Sequence, residues 1–298
     1  MSENNKTPNY ITFPRTFEKY RWYKPILVFI IGFILMMIIS ILVVEVFNAV
    51  YGEENILPLV FGGYETLNNE LGEIISDLLV IVMIPALYIA TKIVRDRPFS
   101  SYASSRGGWN FKLYLKALII PFIALIILEA IELATSEPEG TYHLSLLFLI
   151  VCIILVPLQC IAEEYVYRGL MMQTFGSWFK IPVLAILLQG IIFTVSHGYN
   201  TLGLFEIFVS GLIYGFFTWK TNGIEVSSAM HTANNFAISL FVMLGIQSTT
   251  STIQFYDVVT SIAFNLILCI IMYYVGIKTD WFGELKEEVQ NTGLFNKE

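Results

Sequence analysis

Three short polar clusters interrupt apolar stretches of this chain. They read "EEYVYR" at 163–168, "FTVSH" at 193–197 and "HTANN" at 231–235. Glu164 and Arg168 are four apart with the acid first, the favoured order for an i,i+4 ion pair on a helix. They can neutralise each other. Glu163 is offset by about 100° on the same helix and has no local cation, so it must point elsewhere. A carboxylate without a counter-charge can take a proton from water, as a general base does. His197 and His231 are two of the three histidines in the chain, and Asn235 follows His231 by four residues, which puts both on one helix face. A base for water and donors for a developing oxyanion are what amide hydrolysis requires. The leaving amine also needs an acid. Asn235 can donate only a hydrogen bond, so a histidine or protonated Glu163 would supply that proton. Glu163, His197 and His231 could instead hold a divalent metal such as zinc with an open position, although no His-Glu-x-x-His helix is present. Metal-free glutamate catalysis is the preferred reading.

These clusters need elements that carry them, and the composition says which. The 298 residues are 56% hydrophobic and 14% charged, with a mean hydropathy of +0.68. Soluble domains carry roughly 25% charged residues. The chain is therefore expected to be all-α, a polytopic membrane protein with a bundle of about eight transmembrane helices. Candidate spans are 25–48, 72–94, 112–134, 144–172, 182–198, 202–220, 224–246 and 257–278. The fourth is too long for a simple span and should tilt, or kink at Pro157, and run on towards the membrane surface. Residues 1–24 are polar and resemble no signal peptide, so the first apolar run is expected to stay as a span.

The 17 basic residues sort by connector. Five precede the first span, six fall between spans two and three, and Arg168, Lys180, Lys220, Lys278, Lys286 and Lys297 continue the alternation. Connectors 1–2, 3–4, 5–6 and 7–8 contain none. The positive-inside rule then places both termini in the cytoplasm, and the plasma membrane is the expected location. Glu45, Asp77, Glu132, Glu206 and Asp280 read as solvated or structural charges near helix ends, and His143 as a connector residue. Cys152, Cys160 and Cys269 read as small core hydrophobes. Pro85 and Pro121 should kink their helices. Gly211 and Gly215 should serve close packing, and "TNG" at 221–223 is a turn. Tyr165 and Tyr167 flank the first cluster, more as packing groups than as lining. Trp22, Tyr23, Trp178 and Trp219 look like interfacial anchors.

Order and spacing of the three clusters resemble the CAAX protease and bacteriocin-processing family of intramembrane endopeptidases. The family pattern is Glu-Glu-x-x-x-Arg, then Phe-x-x-x-His, then His-x-x-x-Asn, and the likeness covers about 163–235. The resemblance implies that Glu163 and His197 activate water, that His231 and Asn235 stabilise the oxyanion, and that Glu164 and Arg168 are structural support. It also implies a membrane-associated peptide or lipidated protein as substrate. Prenylated CAAX tails, bacteriocin-like leaders and other membrane peptides all remain open, and no nucleic acid is expected. The expected divisions are a tail at 1–24, helices 1–3 at 25–140, a catalytic core of helices 4–7 at 141–250, and helix 8 with a cytoplasmic tail at 251–298. Two competing readings use the same residues: a transporter with a proton or substrate site, and a catalytically silent immunity or partner-binding protein. One geometric tension stands. If span five ran straight from Lys180, His197 would lie about 25 Å along it, and His231 only about 10 Å along span seven.

Overall fold

A computed structural model describes residues 9–135, 142, 145–247 and 249–282. His143, Glu137, Glu139, Lys6, Lys286, Lys297 and the side chain of Glu132 lie outside the described residues. Regular structure among those described is helical, and the one bridge pairs Ser104 with Gly223. A 3-10 turn at Phe13–Thr16 precedes α1 (Lys24–Tyr51). Next come α2 (Glu53–Phe61), a 3-10 segment at Gly63–Asn68, α3 (Glu70–Ile81), α4 (Met83–Val94) and the short α5 (Ser100–Ala103). The second half holds α6 (Phe111–Thr135), α7 (Leu146–Glu164), α8 (Gln173–Phe179), α9 (Pro182–Val195), α10 (Thr201–Thr221), α11 (Glu225–Met243) and α12 (Phe255–Ile271).

The chain is a multi-pass integral membrane protein. Among the described residues, six helical runs are long and apolar enough to cross a bilayer: 24–51, 70–94, 111–135, 146–179, 201–221 and 255–278. The other two expected spans are helical as well. α9 has only 14 residues, about 21 Å against a hydrocarbon core of about 30 Å. α11 carries the third polar cluster. Phe33, Ile34, Ile41 and Leu42 of α1 are exposed, an apolar face that suits lipid rather than water.

Sequence-local causes account for the breaks. The run 70–94 is divided at Val82, four residues after Leu78 and three before Pro85. Pro85 lacks the N–H that would bond the Ile81 carbonyl. α7, by contrast, passes through Pro157 as an α-helix and changes only at Tyr165–Met172, which is π-helical. The irregularity of the fourth span thus lies on the first polar cluster and not at the proline, and π-bulges of this kind often mark functional sites. Asn69, Ser145 and Asn200 cap α3, α7 and α10 by accepting backbone N–H bonds. Asn222 ends α10 in the left-handed region at φ 56°, as expected of "TNG". The glycines of α10 face α9: a Cβ on Gly215 would lie 2.8 Å from Gln189 Nε2, and one on Gly211 3.2 Å from Phe193 Cδ1.

The two ends of the bundle are tied differently. At one end Tyr10, Ile11 and Phe13 are buried. The Tyr10 hydroxyl donates to the Tyr102 carbonyl at 2.6 Å, and Arg15 donates to the Ser177 carbonyl at 2.9 Å. Burial raises the Tyr10 and Tyr102 hydroxyls above the ordinary phenol range, so both stay protonated. Arg97 donates to Gln173 and to the Gly169 carbonyl and lies 3.5 Å over the Tyr102 ring. Arg106 pairs with Glu225 at 2.6 Å. Arg97 and Arg106, which the charge pattern counts among the six basic residues between spans two and three, are therefore buried and partnered. At the other end the pieces are neutral or acidic. Tyr64 stacks on Tyr199 with centroids 4.0 Å apart. Asn68 bonds the backbone of Thr249, and Asn200 donates to the Ile253 carbonyl at 2.8 Å.

Candidate active site

A cavity of about 500 Å³ runs from this second end into the bundle. Helices α3, α7, α9, α10 and α11 supply its walls, with Tyr64, Tyr199, Thr249 and Ile253 at the connector end. Glu163, His197, His231 and Asn235 all line it, whereas Glu164 and Arg168 do not. The tension between the positions of the two histidines is resolved by the shape of the cavity. It is long enough to include His197, beyond the end of α9, and His231, two turns into α11.

Arg168 is fully buried. Its Nη1 lies 2.8 Å from Glu164 Oε1, its Nη2 donates to the Gly211 carbonyl at 3.3 Å, and its guanidinium sits over the rings of Phe193 and Tyr214. The expected i,i+4 pair thus forms, at the junction of α- and π-helix. Glu164 does more than neutralise Arg168. The same Oε1 is 3.2 Å from His231 Nδ1. A carboxylate paired with arginine only accepts, so Nδ1 of His231 carries a proton. Nε2 of His231 then lies 3.4 Å from Glu163 Oε2. The leftover glutamate of the first cluster has found the histidine of the third.

His197 is fixed differently. Its Nδ1 is 2.7 Å from the Phe193 carbonyl. A carbonyl only accepts, so Nδ1 is the protonated nitrogen, and in the neutral ring Nε2 keeps its lone pair. Phe193 also turns its ring edge-on to Tyr167, His197 and His231. The phenylalanine of the second cluster therefore spaces both histidines and covers Arg168. Tyr214 stacks on His231 with centroids 5.2 Å apart.

Four lining residues were not visible as such in the sequence. Gln159 accepts from Asn235 Nδ2 at 3.1 Å, and the same Nδ2 lies 3.4 Å from His231 Nε2, while Asn235 Oδ1 accepts from Asn234 at 3.2 Å. The spacing of Gln159 four before Glu163 was the available signal. Glu73 and Asp77 come from α3, outside the three clusters, and Glu206 from α10. The charge reading placed Asp77 and Glu206 among solvated or structural groups at helix ends. The structure corrects this: both face the cavity, Glu206 accepts from Ser261, and Asp77 Oδ2 is buried without a hydrogen-bond partner. Tyr167 lines the cavity and donates to Ser196 at 2.7 Å, while Tyr165 stacks on Phe99 instead. The three cysteines are free thiols.

Zinc would need three of these donors at one point. Among the described residues no group of three His, Cys, Asp or Glu side chains is placed to hold a metal ion. Glu163 and His231 form a close pair, but no third donor joins them. The arrangement does not fit a three-ligand zinc site, and no step below is routed through one.

Comparison with known proteins bears on the same segment. Residues 144–237 match the family described as type II CAAX prenyl endopeptidase Rce1-like. The chain is also similar to a Bacillus subtilis (strain 168) protein named "Uncharacterized protein YyaK", 28% identical over 181 residues, which is 56% of this chain and 60% of that relative. The match thus spans less than two thirds of the relative's length. No solved structure matches. Residues 144–237, the part that is similar to the type II CAAX prenyl endopeptidase Rce1-like family, hold all three polar clusters.

Proposed function

We propose that this protein is an intramembrane endopeptidase that cleaves a membrane-associated peptide or lipidated protein segment with water activated by Glu163 and His197. One observation carries the reading: Glu163 Oε2 lies 3.4 Å from His231 Nε2 on the wall of a cavity that also includes His197 and Asn235. Glu163 takes a proton from water while the Nε2 lone pair of His197 orients it. The water oxygen adds to the scissile carbonyl carbon, and the carbonyl π electrons move to oxygen. Asn235 Nδ2 and His231 Nε2 donate to that oxyanion. Because Nδ1 of His231 is committed to Glu164, Nε2 donates only when the ring is an imidazolium. The C–N bond then breaks, and protonated Glu163 returns its proton to the leaving nitrogen. Arg168 and Glu164 act through His231, by holding its ring. The alternation of basic connectors supports a topology with both termini in the cytoplasm and residence in the plasma membrane.

The test is incubation of the purified full chain with a prenylated CAAX peptide and a panel of membrane peptides. Cleavage is read by mass spectrometry beside Glu163→Gln, with and without a chelator. The expected result is cleavage by the wild type, a loss of at least 1,000-fold in Glu163→Gln, and a rate unchanged by the chelator. If the variant cuts whatever the wild type cuts, or neither cuts anything, the assignment fails. Loss of activity on chelation would restore the metal reading.

A further inference from the structure

We infer that the cavity receives its substrate from the side of the bilayer opposite the chain termini, the non-cytoplasmic side, so that the occupant is an exported or outer-leaflet peptide segment and not a cytoplasmic carboxyl-terminal tail. This deepens the endopeptidase reading and rests on it for the word substrate, but the orientation of the cavity is separate from whether cleavage occurs.

Two observations meet here. The first is which end of the bundle the cavity reaches. Its lining includes Tyr64, Tyr199, Thr249 and Ile253. These belong to the connectors after α2, after α9 and after α11, which are bound to one another through Tyr64–Tyr199, Asn68–Thr249 and Asn200–Ile253. No lining residue comes from the opposite end, formed by the N-terminal segment, the 95–110 connector, Lys180 and Asn222. That end is closed by side chains: Tyr10 on Tyr102, Arg97 on Gln173, and Arg106 on Glu225.

The second observation is charge. Connectors 52–69, 196–200 and 244–254, at the cavity end, hold no lysine or arginine. The closed end holds Arg15, Lys24, Arg95, Arg97, Arg106, Lys180 and Lys220 in or beside its connectors. Cytoplasmic connectors carry the excess of Lys and Arg, so the open end is the outer one. The lining agrees: it contains Glu73, Asp77, Glu163 and Glu206 but no lysine or arginine. His231 lies six residues beyond Glu225, so about 9 Å along α11 from the closed end. A peptide must therefore thread most of the cavity to reach it from outside.

Two single replacements test the orientation without reference to activity. Thr250→Cys lies in the connector at the cavity end, and Lys19→Cys in the N-terminal segment; both positions are exposed. Intact spheroplasts expressing the full chain are treated with a membrane-impermeant maleimide, before and after permeabilisation. Labelling of Thr250→Cys in intact spheroplasts at least tenfold above Lys19→Cys is expected, and the reverse pattern overturns the inference. The panel peptides are then added, in membrane-impermeant form, to intact spheroplasts and to inverted vesicles. Cleavage at the spheroplast face that is absent in Glu163→Gln supports the inference, and cleavage confined to inverted vesicles defeats it. If Thr250→Cys labels from outside but no peptide is cut on either side, the orientation stands and the endopeptidase reading falls.

Discussion

Removing Arg168 tests how the site is held together. Arg168 and Glu164 are both fully buried, and the pair is 2.8 Å apart. At an effective dielectric constant of about 20, that separation corresponds to about 6 kcal/mol of Coulomb attraction. Desolvation offsets much of it, and breaking such a pair from one side costs about 3–5 kcal/mol because the other charge stays buried and unmatched. In Arg168→Met, Glu164 keeps the His231 Nδ1 contact at 3.2 Å and its interaction with Ser227, which places the expected loss near the low end of that range, about 3 kcal/mol. Glu164→Gln combined with Arg168→Met removes both charges and should recover about 2 kcal/mol of the sum of the single losses. Equilibrium unfolding in mixed micelles, followed by tryptophan fluorescence, measures all three variants and yields the coupling energy. A loss below about 1 kcal/mol for Arg168→Met, or strictly additive single losses, would falsify the claim that this pair is a buried structural unit.

Two further outcomes follow from neighbouring contacts. Gln159→Leu removes the acceptor that holds the Asn235 amide; kcat should fall about tenfold with KM little changed, less than the roughly 100- to 1,000-fold cost of deleting an oxyanion donor outright, and an unchanged kcat would dismiss Gln159 as a positioning residue. In Gly176→Ala the new Cβ would fall on the side chain and carbonyl of Ile11, with the Ile11 carbonyl carbon at 3.0 Å. The backbone cannot step aside, so about 1–3 kcal/mol should be lost, and amide hydrogen exchange over residues 9–17 should accelerate. Undisturbed protection there would show that the segment docks more loosely than its burial indicates.

Much of this arrangement was legible because it is local. Glu164 and Arg168 pair through a spacing of four, the proline at 85 interrupts its helix where the missing N–H predicts, and the glycines of α10 sit where another helix approaches. Asp77 shows the opposite case. Its position near a helix end reads as solvated, because sequence gives depth along a helix but not rotation about it. Only the packing of α3 against α7 turns Asp77 towards the cavity. Gln159 was hidden for a related reason: an uncharged amide in an apolar run gives no signal until its partner on another helix is known.

The sequence by itself determined that the chain spans a membrane, that its second half carries three polar clusters in a family's order, and that one glutamate of the first cluster is left without a local partner. These depend on composition and on intervals along one helix, which a linear chain records directly. Only the tertiary structure decided where that glutamate goes, that Glu164 serves both Arg168 and His231, that Nδ1 of His231 bears a proton, and which end of the bundle the cavity reaches. Those are relations between helices far apart in sequence, and the packing of apolar faces sets them.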